Sequence, residues 1–228
     1  MGVRGHDAEM SDYSPEGQAA VAALFRETLA DLATAPVTND RDRMARDAMQ
    51  DSLTLRIERF EAGEYLDAMY RSPVVSIRGT FDLMPRETED DWHNIARRLA
   101  LVPRGVASAQ RTAAEGLRLA RPAARRQVVE FAAKLETWSG HKPGTVAFFD
   151  TLVTAFDTAG VVSARLRGEL ERGAALANQS FAGLATYLRQ SYLDSASGRD
   201  GVGPERYQLN SRFYNGIVLD LEETYAWG

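Results

Sequence analysis

The chain has 228 residues, of which 44% are hydrophobic and 26% are charged, a composition typical of globular proteins. It contains no cysteine, which excludes disulfides, cysteine-ligated zinc, iron–sulfur clusters and thiol catalysis. The net charge of -5 argues against nucleic acid as the main partner. No segment approaches the ~20 apolar residues that a membrane span needs, and residues 1–17 lack an apolar signal region. We therefore expect a cytoplasmic protein with no membrane partner.

The first half of the chain shows mainly helical periodicity. Residues 1–16 are polar and contain Gly, Ser and Pro, which predicts a flexible tail. From residue 17 onward apolar residues recur at helical spacing. Residues 40–70 form a long amphipathic stretch, and Pro73 is expected to end it because proline disfavours helix in the residue before it.

The segment 73–85 is the one exception to the helical pattern. It has several β-branched residues around Gly79, and no partner strand is visible in the sequence. The sequence therefore predicts a buried extended segment. Thr88 follows as the N-cap of the next helix, with acidic residues in the first turn, where carboxylates suit the helix dipole.

The remaining pattern is helical with clear breaks. Helices are predicted from Pro103 to about 120, from Pro122 to 138, from 146 to 160 and from about 164 to 192. A loop over 194–204 precedes a short helix to about 214, and a last helix begins near 220. The prediction is an all-α fold of roughly eight helices in an irregular array, with residues 17–228 as a single helical domain.

No catalytic or metal-binding motif is found. The three histidines, His6, His93 and His141, are too far apart for a local zinc motif and are best explained as structural or exposed residues. No P-loop, dinucleotide fingerprint or nucleophile elbow occurs. The sequence therefore predicts no catalytic residue, no metal ligand and no cofactor within this chain.

Two polar patterns have both a functional and a structural interpretation. Arg104, Arg111 and Arg118 are seven residues apart, so they share one helix face that could bind an anion or an acidic partner. The alternative is a solvated face paired with nearby acids. The glycine turn at 201–203 precedes Arg206 and Tyr207, which either face a cleft or belong to an ordinary helix start.

Three segments together carry a family resemblance. They are Ser76-Ile-Arg-Gly-Thr-Phe-Asp-Leu-Met-Pro85 with Thr88-Glu-Asp-Asp-Trp92, then Gly203-Pro-Glu-Arg-Tyr207, and finally Leu219-Asp-Leu-Glu-Glu-Thr-Tyr-Ala-Trp-Gly228. In this order they resemble the bacterial family called domain of unknown function 885. The resemblance implies a likeness to gluzincin-type zinc metallopeptidases, whose metal motif lies in a C-terminal half. Zinc is accordingly expected only in that half, and this chain resembles the N-terminal portion alone.

Two hypotheses follow. The first is a non-catalytic N-terminal domain, truncated from its catalytic half, which lines a peptide-substrate cleft with Arg78, Arg206 and Tyr207. Its partner would be the C-terminal catalytic half or another chain. The second is a standalone helical interaction protein that uses the arginine stripe or an apolar patch, with homodimerisation as one outcome. A metal-free enzyme is a third and less favoured interpretation.

Overall fold

The structure, a computed structural model, describes residues 5–69 and 72–227. Within these ranges it is all-α, as predicted, with nine α-helices and no sheet. The helices are α1 (Pro15–Thr34), α2 (Asp40–Glu61), α3 (Pro73–Leu83), α4 (Glu89–Arg118), α5 (Arg125–Trp138), α6 (Phe148–Asp157), α7 (Ala164–Tyr187), α8 (Pro204–Asn215) and α9 (Leu221–Trp227). A π-helical turn, Leu188–Tyr192, and a 3-10 turn, Leu193–Ser195, extend α7.

The core is built around α4 and α7, which pack along each other, with α3, α5 and α6 against them. Gly173 of α7 allows this close approach, because a Cβ there would lie 2.8 Å from the Cβ of Leu99. Aromatic rings of α6 pack edge to face against rings of α3, α4 and α7. Trp92 of α4 meets Phe156 of α6 at 5.3 Å between ring centroids, and both side chains are almost fully buried.

The helices α1 and α2 form an antiparallel pair beside this core. Each buries a single residue, Ala22 in α1 and Leu55 in α2, so the pair is attached by partly exposed contacts. α8 packs on the C-terminal part of α2. These three helices leave space between them, which is where one of the cavities described below lies.

The prediction of an extended segment at 73–85 is wrong. The chain forms the helix α3 there, in which Ser72 caps the amide of Val74 and Pro73 occupies the first turn. Val74, Ile77 and Phe81 are spaced by three and four residues and share the buried face. Burial of that face outweighs the weak preference of β-branched residues for strands.

The prediction that a helix begins at Pro103 is also wrong, because α4 runs through Pro103 without a break. Residues 99, 102 and 106 on either side of it are fully or almost fully buried, so tertiary packing holds the helix together across the missing hydrogen bond. Its N-terminus is as predicted: Thr88 and Asp91 form a reciprocal capping box. The helix predicted to reach residue 70 ends at Glu61, and residue 70 lies outside the described residues.

The segment before α1 makes specific contacts with α4. The amide of Tyr13 donates to the Ser108 hydroxyl at 3.0 Å, and the Thr112 hydroxyl donates to the Tyr13 carbonyl at 2.7 Å. Ser14 is fully buried and caps α1, which begins at Pro15. Whether residues 1–16 behave as a flexible tail stays a prediction.

Candidate functional site

A cavity of about 630 Å³ opens where four segments meet: the turn after α2, the start of α5, the loop before α8, and α8 itself. We call it the polar cavity. Its lining residues are Arg59, Glu64, Asp67, Ala68, Pro122, Ala124, Arg126, Gln127, Glu130, Ser197, Arg199, Asp200, Gly201, Val202, Arg206, Asn210 and Tyr214. The volume lies in the range of small-molecule and peptide-residue sites, and both charge signs are present on its walls.

One wall is a buried ion-pair cluster. Glu64 and Asp67 lie in the turn after α2, which Gly63 makes possible with its positive φ of 69°. Arg206 of α8 donates from Nε to Glu64 and, through both Nη atoms, to the two oxygens of Asp67 at 2.8 and 2.9 Å. Asn210, one helical turn later, donates to Glu64 at 2.7 Å. The cluster joins α8 to the rest of the molecule.

The cluster keeps its charges. Burial alone raises the pKa of Glu64, which is only 9% exposed, but the hydrogen bonds from Arg206 and Asn210 outweigh it and lower that pKa below its ordinary value. Burial likewise lowers the pKa of Arg206, and the bonds to Asp67 and Glu64 reverse this and raise it. Both groups are therefore ionised at neutral pH.

The opposite wall is the first turn of α5. The Arg125 amide donates to the Ser197 carbonyl at 2.7 Å, and the Ser197 amide donates to the Ala123 carbonyl at 2.9 Å, which fixes the loop against the helix start. Ala124 is the N-cap and provides no side-chain acceptor. At the mouth, Arg126 pairs with Asp200 at 2.8 Å between exposed side chains.

A second cavity, of about 380 Å³, lies between α1, α2 and α8. We call it the aromatic cavity because Phe25, Phe60, Tyr65, Phe213 and Tyr214 contribute rings to it. The two cavities share lining residues, among them Arg59 and Tyr214. Arg59 donates to the Tyr214 hydroxyl at 3.2 Å, so this pair stands at the border between them.

The family model that matches residues 1–228 is described as a bacterial protein of unknown function, DUF885. The chain belongs to the DUF885 family. No curated protein matches this sequence. The family resemblance seen in the sequence is thereby confirmed, and it covers the helices that form both cavities.

The residues predicted for a DUF885 cleft do not lie together. Arg206 lines the polar cavity, whereas Tyr207 is 56% exposed and lines neither cavity. Arg78 lies on α3, where it pairs with Asp82 and stacks 4.1 Å from the centroid of Phe148. It lines neither cavity.

The arginine stripe follows one exposed face of α4, as its spacing predicts. Arg111 pairs with Glu16 at 3.3 Å, and Arg118 pairs with Glu115 at 2.7 Å. Arg104 is exposed two turns before Arg111. Two of the three thus form an ion pair, and Arg104 interacts electrostatically with Asp12, the arrangement of a solvated face. Binding of an anion by the stripe stays a prediction.

Sequence reasoning missed the partners of Arg206. Glu64 and Asp67 precede it by 142 and 139 residues, a separation at which no local pattern connects them. The one available signal was the pair of acids that follows Gly63 at the end of the α2 periodicity. Arg59 and the aromatic residues of α8 were likewise not singled out.

No group of three or more His, Asp or Glu residues suited to a metal ion occurs in the described ranges 5–69 and 72–227. Of the helices described, none combines the length and the apolar character needed to cross a bilayer.

Proposed function

We propose that this chain is the non-catalytic helical portion of a larger zinc metallopeptidase-like protein, and that the polar cavity is its contribution to a peptide-binding cleft. The observation that carries the proposal is the cavity itself: its volume suits a ligand, and its walls are fixed by ion pairs and backbone hydrogen bonds. Zinc and the catalytic residues would belong to the remainder of that protein. We further propose a cytoplasmic location, supported by the absence of cysteine.

Arg206 has a different role in this proposal from a direct substrate contact. Its guanidinium already donates to Glu64 and Asp67, so it is a positioning residue that holds α8 at the edge of the cleft. Substrate contacts would fall to other groups of the lining, such as Gln127 at the start of α5 and Arg199 in the loop. Amide and guanidinium donors there suit the carbonyl oxygens of a peptide.

The experiment is a binding measurement on the full 228-residue chain. A mixture of capped peptides is equilibrated with the chain, and retained peptides are identified by mass spectrometry. Gln127→Trp fills the cavity from the first turn of α5 and is expected to abolish retention. Val129→Trp, on the same helix but outside the cavity lining, is the matched control and should retain peptides.

Three results would overturn the proposal. The first is peptide retention that is equal in the wild type and in Gln127→Trp, and the second is no retention at all. The third is a zinc content near one per chain after dialysis, which would place the metal in this portion instead. Circular dichroism of both variants establishes that they are folded before binding is compared.

A second candidate function is a standalone interaction module, and exposed apolar side chains favour it. They lie on α8, on α9 and on the segment between them: Tyr207, Tyr214, Ile217, Val218, Tyr225 and Trp227. Such a surface is typical of a protein contact. Sedimentation at two chain concentrations tests it, since a homodimer would show a concentration-dependent mass.

A further inference from the structure

The aromatic cavity combines rings and guanidinium groups in an unusual way. Arg56 and Arg59 lie one turn apart on α2, and both stand over the ring of Phe213, at 5.6 and 3.9 Å from its centroid. Arg56 is also 5.9 Å from the centroid of Phe25. The rings hold two positive charges at the lining of one cavity.

Neither arginine forms an ion pair with a carboxylate in the part of the chain that the structure describes. The acids nearest in sequence on α2 and in its following turn have other partners. Glu58 binds Arg212 at 3.0 Å, and Glu61 binds Arg26 at 2.9 Å. Glu64 is held by Arg206 and Asn210. The side-chain hydrogen bonds of Arg56 and Arg59 go to the hydroxyls of Ser52 and Tyr214, and Arg59 also interacts electrostatically with Glu64.

This arrangement favours an anion. Two like charges that share one ring repel each other, and Arg59 is partly buried, which lowers its pKa. A carboxylate between the two guanidinium groups would relieve that repulsion and accept charge-assisted hydrogen bonds. Gln18, Thr112 and the carboxylate of Glu64 also line the cavity, and Glu64 is already paired with Arg206. The other lining residues are aromatic or aliphatic, with Phe25, Phe60 and Val21 in position to contact the ring of a ligand.

We propose that the aromatic cavity binds a carboxylate that carries an aromatic group, with the carboxylate at Arg56 and Arg59 and the ring against Phe25 and Phe60. A peptide with a C-terminal phenylalanine has this chemistry, and so has a free arylalkanoic acid. The peptide assignment rests on the proposed function, because the cavity borders the proposed cleft through Arg59 and Tyr214.

The probes are matched pairs measured by isothermal titration calorimetry on the full chain. Acetyl-Ala-Ala-Phe is compared with its C-terminal amide, which removes the charge, and with acetyl-Ala-Ala-Ala, which removes the ring. We expect the free acid to bind at least about tenfold more tightly than either. 3-Phenylpropionate is the arm that distinguishes a small free acid from a peptide.

Substitutions in the cavity lining test where the aromatic carboxylate binds. Arg56→Gln removes one exposed guanidinium and is expected to weaken the acid about tenfold, while Arg41→Gln, an exposed arginine far along the same helix, leaves it unchanged. Val21→Trp fills the cavity from α1 without touching either arginine, and Leu24→Trp is its control outside the lining. Thermal melts confirm that each variant folds.

The outcomes separate this inference from the proposed function. Equal affinity for acid and amide, or acid binding that survives both Arg56→Gln and Val21→Trp, overturns the inference, as does a failure of every probe to bind. Peptide retention that depends on Gln127 would still support the proposed function in those cases. If 3-phenylpropionate binds as tightly as the peptide, the carboxylate–aromatic site stands and the ligand is a small acid.

Discussion

At the scale of single residues, the interaction of greatest consequence is the bidentate pair of Arg206 with Asp67, because it is partly buried and shared with Glu64. Removing the guanidinium leaves two poorly solvated carboxylates without their cation. We expect Arg206→Met to lower the free energy of unfolding by about 3 kcal/mol, measured by urea denaturation.

The matched control for that substitution is Arg126→Met. Arg126 also pairs with an aspartate, Asp200, but its side chain is 74% exposed, so the loss should stay below about 1 kcal/mol. Equal losses in the two variants would contradict the view that burial of the Glu64–Asp67–Arg206 cluster gives it its importance.

The same cluster makes stability depend on pH. The folded state lowers the pKa of Glu64 below its ordinary value of 4.5, so the unfolded chain binds the proton more readily. The contribution is fully present above about pH 4.5 and is lost as the pH falls through the folded pKa. Glu64→Gln should therefore lose less stability than the wild type between pH 5 and 3, as followed by urea midpoints. An equal fall of the urea midpoint with pH in the variant and the wild type would refute this.

At the scale of elements, α3 shows how one pattern supports two interpretations. The β-branched residues of 73–85 suggest extended chain, whereas the spacing of Val74, Ile77 and Phe81 suits a helix, and the buried face decides. Gly79 lies within α3 with open space at its Cβ position. We expect Gly79→Ala to stabilise the protein by about 1 kcal/mol and Gly79→Val to do so less, since valine is the poorer helix former. The reverse order in thermal melts would favour an extended segment.

The α4–α7 contact depends on a residue without a side chain. Gly173→Ala places a Cβ 2.8 Å from the Cβ of Leu99, and a backbone-proximal atom cannot move away as a side-chain tip can. We expect a destabilisation of about 1 to 3 kcal/mol despite the better helix propensity of alanine. Gly183→Ala on the same helix meets nothing and should stabilise by about 1 kcal/mol. Calorimetry of the two variants checks the difference in sign.

Local signals predicted the elements best. Three predicted helix ends are confirmed: the N-cap at Thr88, the end of a helix at residue 138, and the glycine turn before Pro204. Pro103 misled the prediction because α4 stays continuous through the burial of Leu99, Val102 and Val106 against other helices. A one-dimensional pattern does not contain that compensation.

At the scale of the whole molecule, the site could be predicted only in part. Arg206 was identified from its glycine turn, yet its role changed once Glu64 and Asp67 were seen beside it, because their sequence positions are remote. The aromatic cavity draws on three helices, and no local motif unites them. Helical periodicity predicts which faces are buried, but not which half-buried faces meet.

The exposed helix α9 offers a test of whether the chain associates with a second copy of itself. None of its residues is buried, and Trp227 is 89% exposed, so its helix has little tertiary support of its own. Deleting residues 220–228 removes almost no buried apolar area, and we expect the melting temperature of the dilute chain to change by less than about 2 °C. A larger decrease that grows with chain concentration would mean that α9 is buried against a second copy, since association makes stability depend on concentration. A small change at every concentration would leave α9 available to another partner.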